Sequence, residues 1–316
     1  MKQTLSWISV IAAIGILADC SGGSSLPSSN AAIGSAADAA TLANARATVA
    51  SANRSKVDLA ALPIGDNRYT TSGPKKMWVY SCQSSFRAGG APSQSLPWVN
   101  AGATTWDYAK KLAVEGAVSW TSSMTSGIAG TQRTIDTNGL PDHVTGIFPI
   151  AAADPAYQYD RNPNAIEAQS LSYAISANPR IAQKPSCLNM GPIGIMNTGA
   201  ALFNALDAAG RDAAVHEVLD SCWGHPQMQG MYHYHTYSSC MGDSSTGHSK
   251  LLGYALDGFG IFGPRGENGK VLTSKQLDQC HGHTHVITWN GKRVKMYHYH
   301  FTYDFPYSLG CFRGTP

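Results

Sequence analysis

The chain reads as a mainly β protein: a single compact antiparallel β-rich domain with long loops, an internally duplicated hairpin unit and up to three disulfides. Three observations predict this. Glycine is abundant, at 32 of 316 residues, and it comes with 7 Trp, 14 Tyr and only 14% charged residues. That mixture suits a turn-rich β protein better than a helical bundle. No stretch keeps a long apolar period of 3.6 residues. The cysteines, finally, number 7, which leaves an even set of six once Cys20 is set aside.

The segments follow in order. Residues 1–20 have the pattern of an export signal: Lys2 at the start, then an apolar run over 7–17 that is too short for a stable membrane anchor. The run ends Leu17-Ala18-Asp19-Cys20, which resembles a lipoprotein signal with Cys20 as the lipidated residue; Asp19 departs from that pattern. Export places the chain in the periplasm, on the outer membrane or outside the cell. Residues 21–72 are rich in Ala and Ser and read as a flexible tether, and 73–316 as the folded domain. Met77-Trp78-Val79-Tyr80 predicts a first strand. Residues 114–149 alternate short apolar runs with turn residues. Residues 154–194 are rich in proline and glycine and predict mostly loop. Residues 193–203 predict a strand, a turn at Asn197-Thr198-Gly199, and a second strand. Residues 200–212 suit either strand ends or one helical turn. The net charge of +3, with no Lys/Arg cluster, excludes a nucleic-acid partner.

Two segments then repeat. The first is Leu219-Asp220-Ser221-Cys222-Trp223-Gly224-His225, Met231-Tyr232-His233-Tyr234-His235 and Cys240. The second is Leu277-Asp278-Gln279-Cys280-His281-Gly282-His283, Met296-Tyr297-His298-Tyr299-His300 and Cys311. Order is kept and spacers differ, which marks a duplicated unit. The repeat suggests Cys222–Cys240 and Cys280–Cys311, and leaves Cys82–Cys187.

Alternating Tyr and His suits a β-strand with both Tyr on one face and both His on the other. Two His two residues apart sit about 6–7 Å apart at Cα, near enough to share an ion. Neutral imidazole binds transition metals, and sites of imidazole without thiolate suit copper or zinc. The expectation is that the two strands face each other. His233, His235, His298 and His300 would then meet at one point, with His225 and His283 adding ligands. Asp220 and Asp278 would orient the imidazoles. His281 and His285 are expected to be exposed.

The chain resembles the YHYH-domain family of exported proteins. The resemblance is carried by Asn138-Gly139-Leu140-Pro141-Asp142-His143, Gly191-Pro192-Ile193-Gly194, Gly210-Arg211-Asp212-Ala213 leading into His216-Glu217, both MYHYH segments and Gly247-His248-Ser249-Lys250-Leu251-Leu252-Gly253. It continues through Leu256-Asp257-Gly258-Phe259-Gly260-Ile261-Phe262-Gly263-Pro264 to Phe305-Pro306-Tyr307 and Gly310-Cys311-Phe312-Arg313-Gly314. It spans about residues 114–316 and implies the domain, not a reaction. Its motifs add His143, His216 and His248 as supporting residues around a metal. They also add Glu217 and Asp257 as candidate catalytic acids or bases, although Asp257-Gly258 equally forms a turn.

Three functions follow, in order: an exported protein binding a transition metal through the His-x-His strands, a metal-dependent hydrolase or oxidase on an extracellular substrate, and a carbohydrate- or polymer-binding module built on the aromatic residues. Whether the chain is an enzyme stays open. G-x-S-x-G and H-E-x-x-H are both missing from the sequence. Contact with a membrane would come only through a lipid on Cys20.

Overall fold

The structure is a computed structural model that describes residues 57–316 apart from 87–89 and 93–94, together with Ala32–Ile33. The export signal, Cys20 and most of the tether lie outside the described residues. Six two-residue strands come first: β1 (Ala32–Ile33), β2 (Leu62–Pro63), β3 (Tyr69–Thr70), β4 (Val79–Tyr80), β5 (Thr105–Trp106) and β6 (Val118–Ser119), pairing as β1/β6, β2/β5 and β3/β4. Val57, Leu59 and Leu62 are buried in the main core. Residues 57–72, expected as the end of the tether, are therefore part of the packed domain, because their few apolar side chains find partners contributed from far along the chain.

An antiparallel meander follows: β7 (Met124–Ala129), β8 (Gln132–Thr137) and β9 (Leu171–Ser176). Residues 154–194 are mostly loop, as expected, and strand β9 is the main exception. Its central residues carry no proline or glycine, and Ile175 and Tyr173 pack in a second, smaller core.

The rest is one sheet of eight strands: β10 (Pro192–Met196), β11 (Ala201–Phe203), β12 (Gly224–Pro226), β13 (Tyr232–Tyr234), β14 (Leu251–Ala255), β15 (Gly260–Phe262), β16 (Gly282–Trp289) and β17 (Lys292–His300). Their order across the sheet is β12-β13-β11-β10-β14-β15-β17-β16. Read outward from the centre, each half has the same sequence of parts: a central hairpin, then a second hairpin whose inner strand lies beside the first. β13 runs parallel to β11, and β17 parallel to β15. The sheet is thus mixed, not purely antiparallel. Each half leaves its central hairpin by a long crossover and returns by a tight hairpin, which sets the inner strand parallel to its neighbour. In the second half that return is the two-residue turn Asn290-Gly291, with φ of 49° and 76°, the backbone a twisted hairpin favours.

The halves meet along β10 and β14. Gly194 pairs with Ala255, Ile195 with Tyr254 and Met196 with Gly253. The register is self-reciprocal about the Ile195–Tyr254 pair. Both central hairpins carry the same irregularity, between Pro192 and Gly194 and between Leu251 and Gly253. The duplication therefore takes in four strands per copy, not one hairpin.

The tyrosines of the two Tyr-His strands, Tyr232, Tyr234, Tyr297 and Tyr299, point into the main core. The alternate positions face the other side of the sheet, where Met231, Phe203, Ile195, Tyr254 and Phe262 meet the meander. Three disulfides, Cys82–Cys187, Cys222–Cys240 and Cys280–Cys311, brace the fold in the connectivity the repeat suggested.

Candidate metal centres

Each copy builds its site in the same way. The Asp of Leu-Asp-x-Cys folds the turn that feeds the outer strand. Asp220 Oδ1 accepts from the backbone N–H of Cys222 and Gly224 at 2.8 and 3.2 Å. Asp278 Oδ1 does the same for Cys280 and Gly282 at 2.9 and 3.0 Å. Tyr232 OH donates to Asp220 and Tyr297 OH to Asp278. Gly224 and Gly282 are required by these tyrosines: a Cβ would lie 2.2 Å from the Tyr232 ring and 2.3 Å from Tyr297 OH. The next residue is the histidine, set directly across from the partner strand: His225 opposite His233, and His283 opposite His298.

Two clusters result. His225, His233 and His235 form the first, all buried; His248, His283, His285, His298 and His300 form the second, with the last two buried and the others half-buried. Within each cluster the candidate ligand atoms lie within 4.8 Å of one another, so either group could hold a metal ion.

The expected single meeting point of four imidazoles is not formed. β13 and β17 are five strand positions apart, roughly 24 Å at about 4.8 Å per spacing. The two central hairpins occupy the space between them, because the copies join through β10 and β14.

Backbone carbonyls orient the imidazoles. His233 Nδ1 donates to Met231 O and His298 Nδ1 to Met296 O, at 3.1 and 3.2 Å. His235 Nδ1 donates to Asn204 O and His300 Nδ1 to Gly263 O, at 2.5 and 2.6 Å. His248 and His285 donate likewise to Ser249 O and Val286 O, at 2.7 and 3.1 Å. With the proton on Nδ1, Nε2 keeps its lone pair. These lone pairs converge. His233 Nε2 is 3.0 Å from His235 Nε2, and His298 Nε2 is 3.1 Å from His285 Nε2. The Nε2 atoms of His248, His283 and His300 are buried with no hydrogen-bond partner. Two imidazole nitrogens on one tetrahedral zinc would stand about 3.3 Å apart, from bond lengths near 2.0 Å.

Burial is the first cause that lowers these imidazoles: His225, His233 and His300 well below the usual value, His235 and His283 to about 4. The neighbouring imidazoles add to the lowering for His225, His233, His283 and His300. Neutral rings are the form that binds metal.

The copies differ in what surrounds the shared trio. The first cluster has Glu217, whose Oε2 is 3.3 Å from His225 Nε2 and 3.5 Å from His235 Nε2. That oxygen is buried without a hydrogen-bond partner. Burial first, then the charges of Asp207 and Asp160, push the Glu217 carboxyl well above its usual range. Glu217 and its neutral neighbours are therefore no ion pair when metal-free. Lys111 Nζ anchors the segment by donating to Glu217 O and Val215 O at 2.6 and 2.7 Å. The second cluster has His248 and His285 where the first has none.

Several expectations are corrected. Asp220 and Asp278 hold the turn and a tyrosine. His248 is a cluster member and not a supporting residue. His285 is no exposed bystander: its side chain is only 10% exposed, and strict alternation from His283 already put it on the site's face. His281 is buried too. Its φ of 72° turns it out of that alternation, and Nδ1 donates to His300 O at 2.9 Å. His216 pairs with Asp66 at 2.9 Å and is a member of neither cluster. His143 contacts Tyr234 OH at 2.5 Å and lies beside Cys222 and Cys240, whose sulfurs are joined and offer no thiolate. Asp257 is a turn acid: it accepts from Tyr299 OH at 2.6 Å and from the N–H of Gly314 and Arg313 at 2.8 and 3.1 Å. Thr198 plays the matching part in the first copy, 3.0 Å from Tyr234 OH.

No curated protein and no solved structure matches the chain. Residues 172–270 match the model of the family described as YHYH protein. This segment takes in β9 to β15, the first Tyr-His-Tyr-His run, Glu217 and His248. It is shorter than the 114–316 over which the motifs resemble the family, and it stops before the second run. Over residues 172–270 the chain is therefore similar to the YHYH family.

Proposed function

We propose that this is an exported protein that binds transition-metal ions, one at each of its two histidine clusters, with copper or zinc as the ion. The observation that carries the reading is the opposition of Nε2 lone pairs in both clusters, with backbone carbonyls holding the protons on the far side of the rings. Like lone pairs at 3.0–3.1 Å repel unless a cation lies among them. Imidazole sites without thiolate suit copper and zinc. The three disulfides fit an oxidising compartment. In this reading Glu217 is a fourth ligand of the first centre, which is sealed, and not a general base.

The test is elemental analysis of the full chain made by export into an oxidising compartment. Two equivalents of metal are expected. His225→Ala with His233→Ala should leave one equivalent, and so should His283→Ala with His298→Ala. Metal content unchanged in both double variants overturns the reading.

A second reading, a metal-dependent hydrolase or oxidase, is favoured at the second cluster alone, where a cavity of ≈ 580 Å³ includes His248 in its wall. The polymer-binding reading gains no support from Trp98, Trp106, Trp223 and Trp289, which are all buried.

A further inference from the structure

The cavity beside the second cluster is lined by charged and apolar residues together: His248, Lys250 and Arg293, with Leu251, Phe262 and Val286. His248 joins it to the cluster, its ring centroid 4.6 Å from that of His285 and 5.0 Å from that of His300. Lys250 and Arg293 are exposed, and neither side chain forms an ion pair or hydrogen bond with another described residue. Val286 is left 45% exposed. Two cations and an apolar surface that line one cavity suit an anionic head with an apolar body. The three imidazoles of the first cluster are all buried.

We propose that this cavity is the ligand site of the second centre and takes a small organic carboxylate. Lys250 and Arg293 hold the carboxylate, and the apolar body lies against Leu251, Phe262 and Val286. The arginine fork matches a carboxylate in two parallel hydrogen bonds. The apolar lining sets this ligand apart from inorganic phosphate, which has no body to bury. The metal-facing part of the proposal rests on the reading of the second cluster as a metal centre.

The experiment uses the full exported chain with cobalt(II) as a visible-absorbing probe, and benzoate, acetate and inorganic phosphate as ligands. Benzoate is expected to bind, to shift the cobalt absorption bands, and to bind more tightly than acetate or phosphate. Lys250→Gln with Arg293→Gln should weaken benzoate at least tenfold while leaving cobalt content unchanged. Equal benzoate affinity in the double variant, tighter binding of phosphate, or benzoate binding with no change in the bands overturns the proposal. Cobalt content separates the two ideas. Cobalt at the second cluster without benzoate binding sinks the carboxylate pocket alone. No cobalt there sinks the metal reading, and calorimetry with benzoate then decides the pocket by itself.

Discussion

A buried imidazole stays neutral at a pH where a free one begins to charge, and that difference has two measurable effects. The first is acid sensitivity. Burial lowers His281 to about 3, against about 6.5 in the unfolded chain. Below pH 6.5 the unfolded state takes up a proton that the folded state refuses until about pH 3. Stability from this residue is present above 6.5 and is lost as pH falls through that window, by up to ~1.4 kcal/mol per pH unit. Urea unfolding at pH 7 and pH 4 should show a smaller loss for His281→Asn than for the parent chain. An equal loss would mean that His281 does not titrate this way. The second effect concerns Glu217, whose charge a metal would stabilise. Glu217→Gln should weaken the first centre by roughly 10-fold or more and leave the second unchanged, as read by competition with a chromogenic chelator. At this scale the sequence was informative about the shared trio, because His-x-His on a strand has one geometric meaning. It was misleading about His285, although Gly282-His283-Thr284-His285 carries the same two-residue spacing that puts both rings on one strand face. His248 came from a motif yet without its role, since only the fold brings residue 248 beside 298 and 300.

The turn that launches each outer strand is a unit in which every residue type has a cause. Asp closes it, Cys staples it, a left-handed residue (Trp223 or His281) redirects it, and Gly makes room for a tyrosine ring. Adding one methyl group tests this. Gly282→Ala should force Tyr297 off Asp278, cost about 1–3 kcal/mol, and reduce metal at the second centre while the first stays filled. Unfolding and metal content measured on the same sample check both parts. Unchanged stability would show that the tyrosine contact is dispensable. The strands themselves were legible from alternation and turn residues, as with residues 193–203 and the turn at 197–199. Their neighbours were not. Whether β13 lies beside β11 or beside β17 depends on a crossover whose path no local pattern encodes, and the expected face-to-face pairing failed for that reason.

The whole molecule sets the accessibility of the two centres. Three buried imidazoles and a buried carboxyl form one; three of the five imidazoles of the other are half-buried. Removal of metal by a strong chelator should therefore proceed in two phases, the faster from the second centre. His283→Ala should abolish the fast phase only, and a single phase in the parent chain would contradict the difference in burial.

The self-reciprocal contact about Ile195 and Tyr254 has a consequence for how such a molecule changes over generations. Two identical half-length chains, related by a two-fold axis through that contact, would bury the same strand edges as the single chain does. Any mutation would then strike both pockets at once. Joining the halves in one gene lifts that constraint. One pocket is free to keep a carboxylate and close, while the other gains imidazoles and opens.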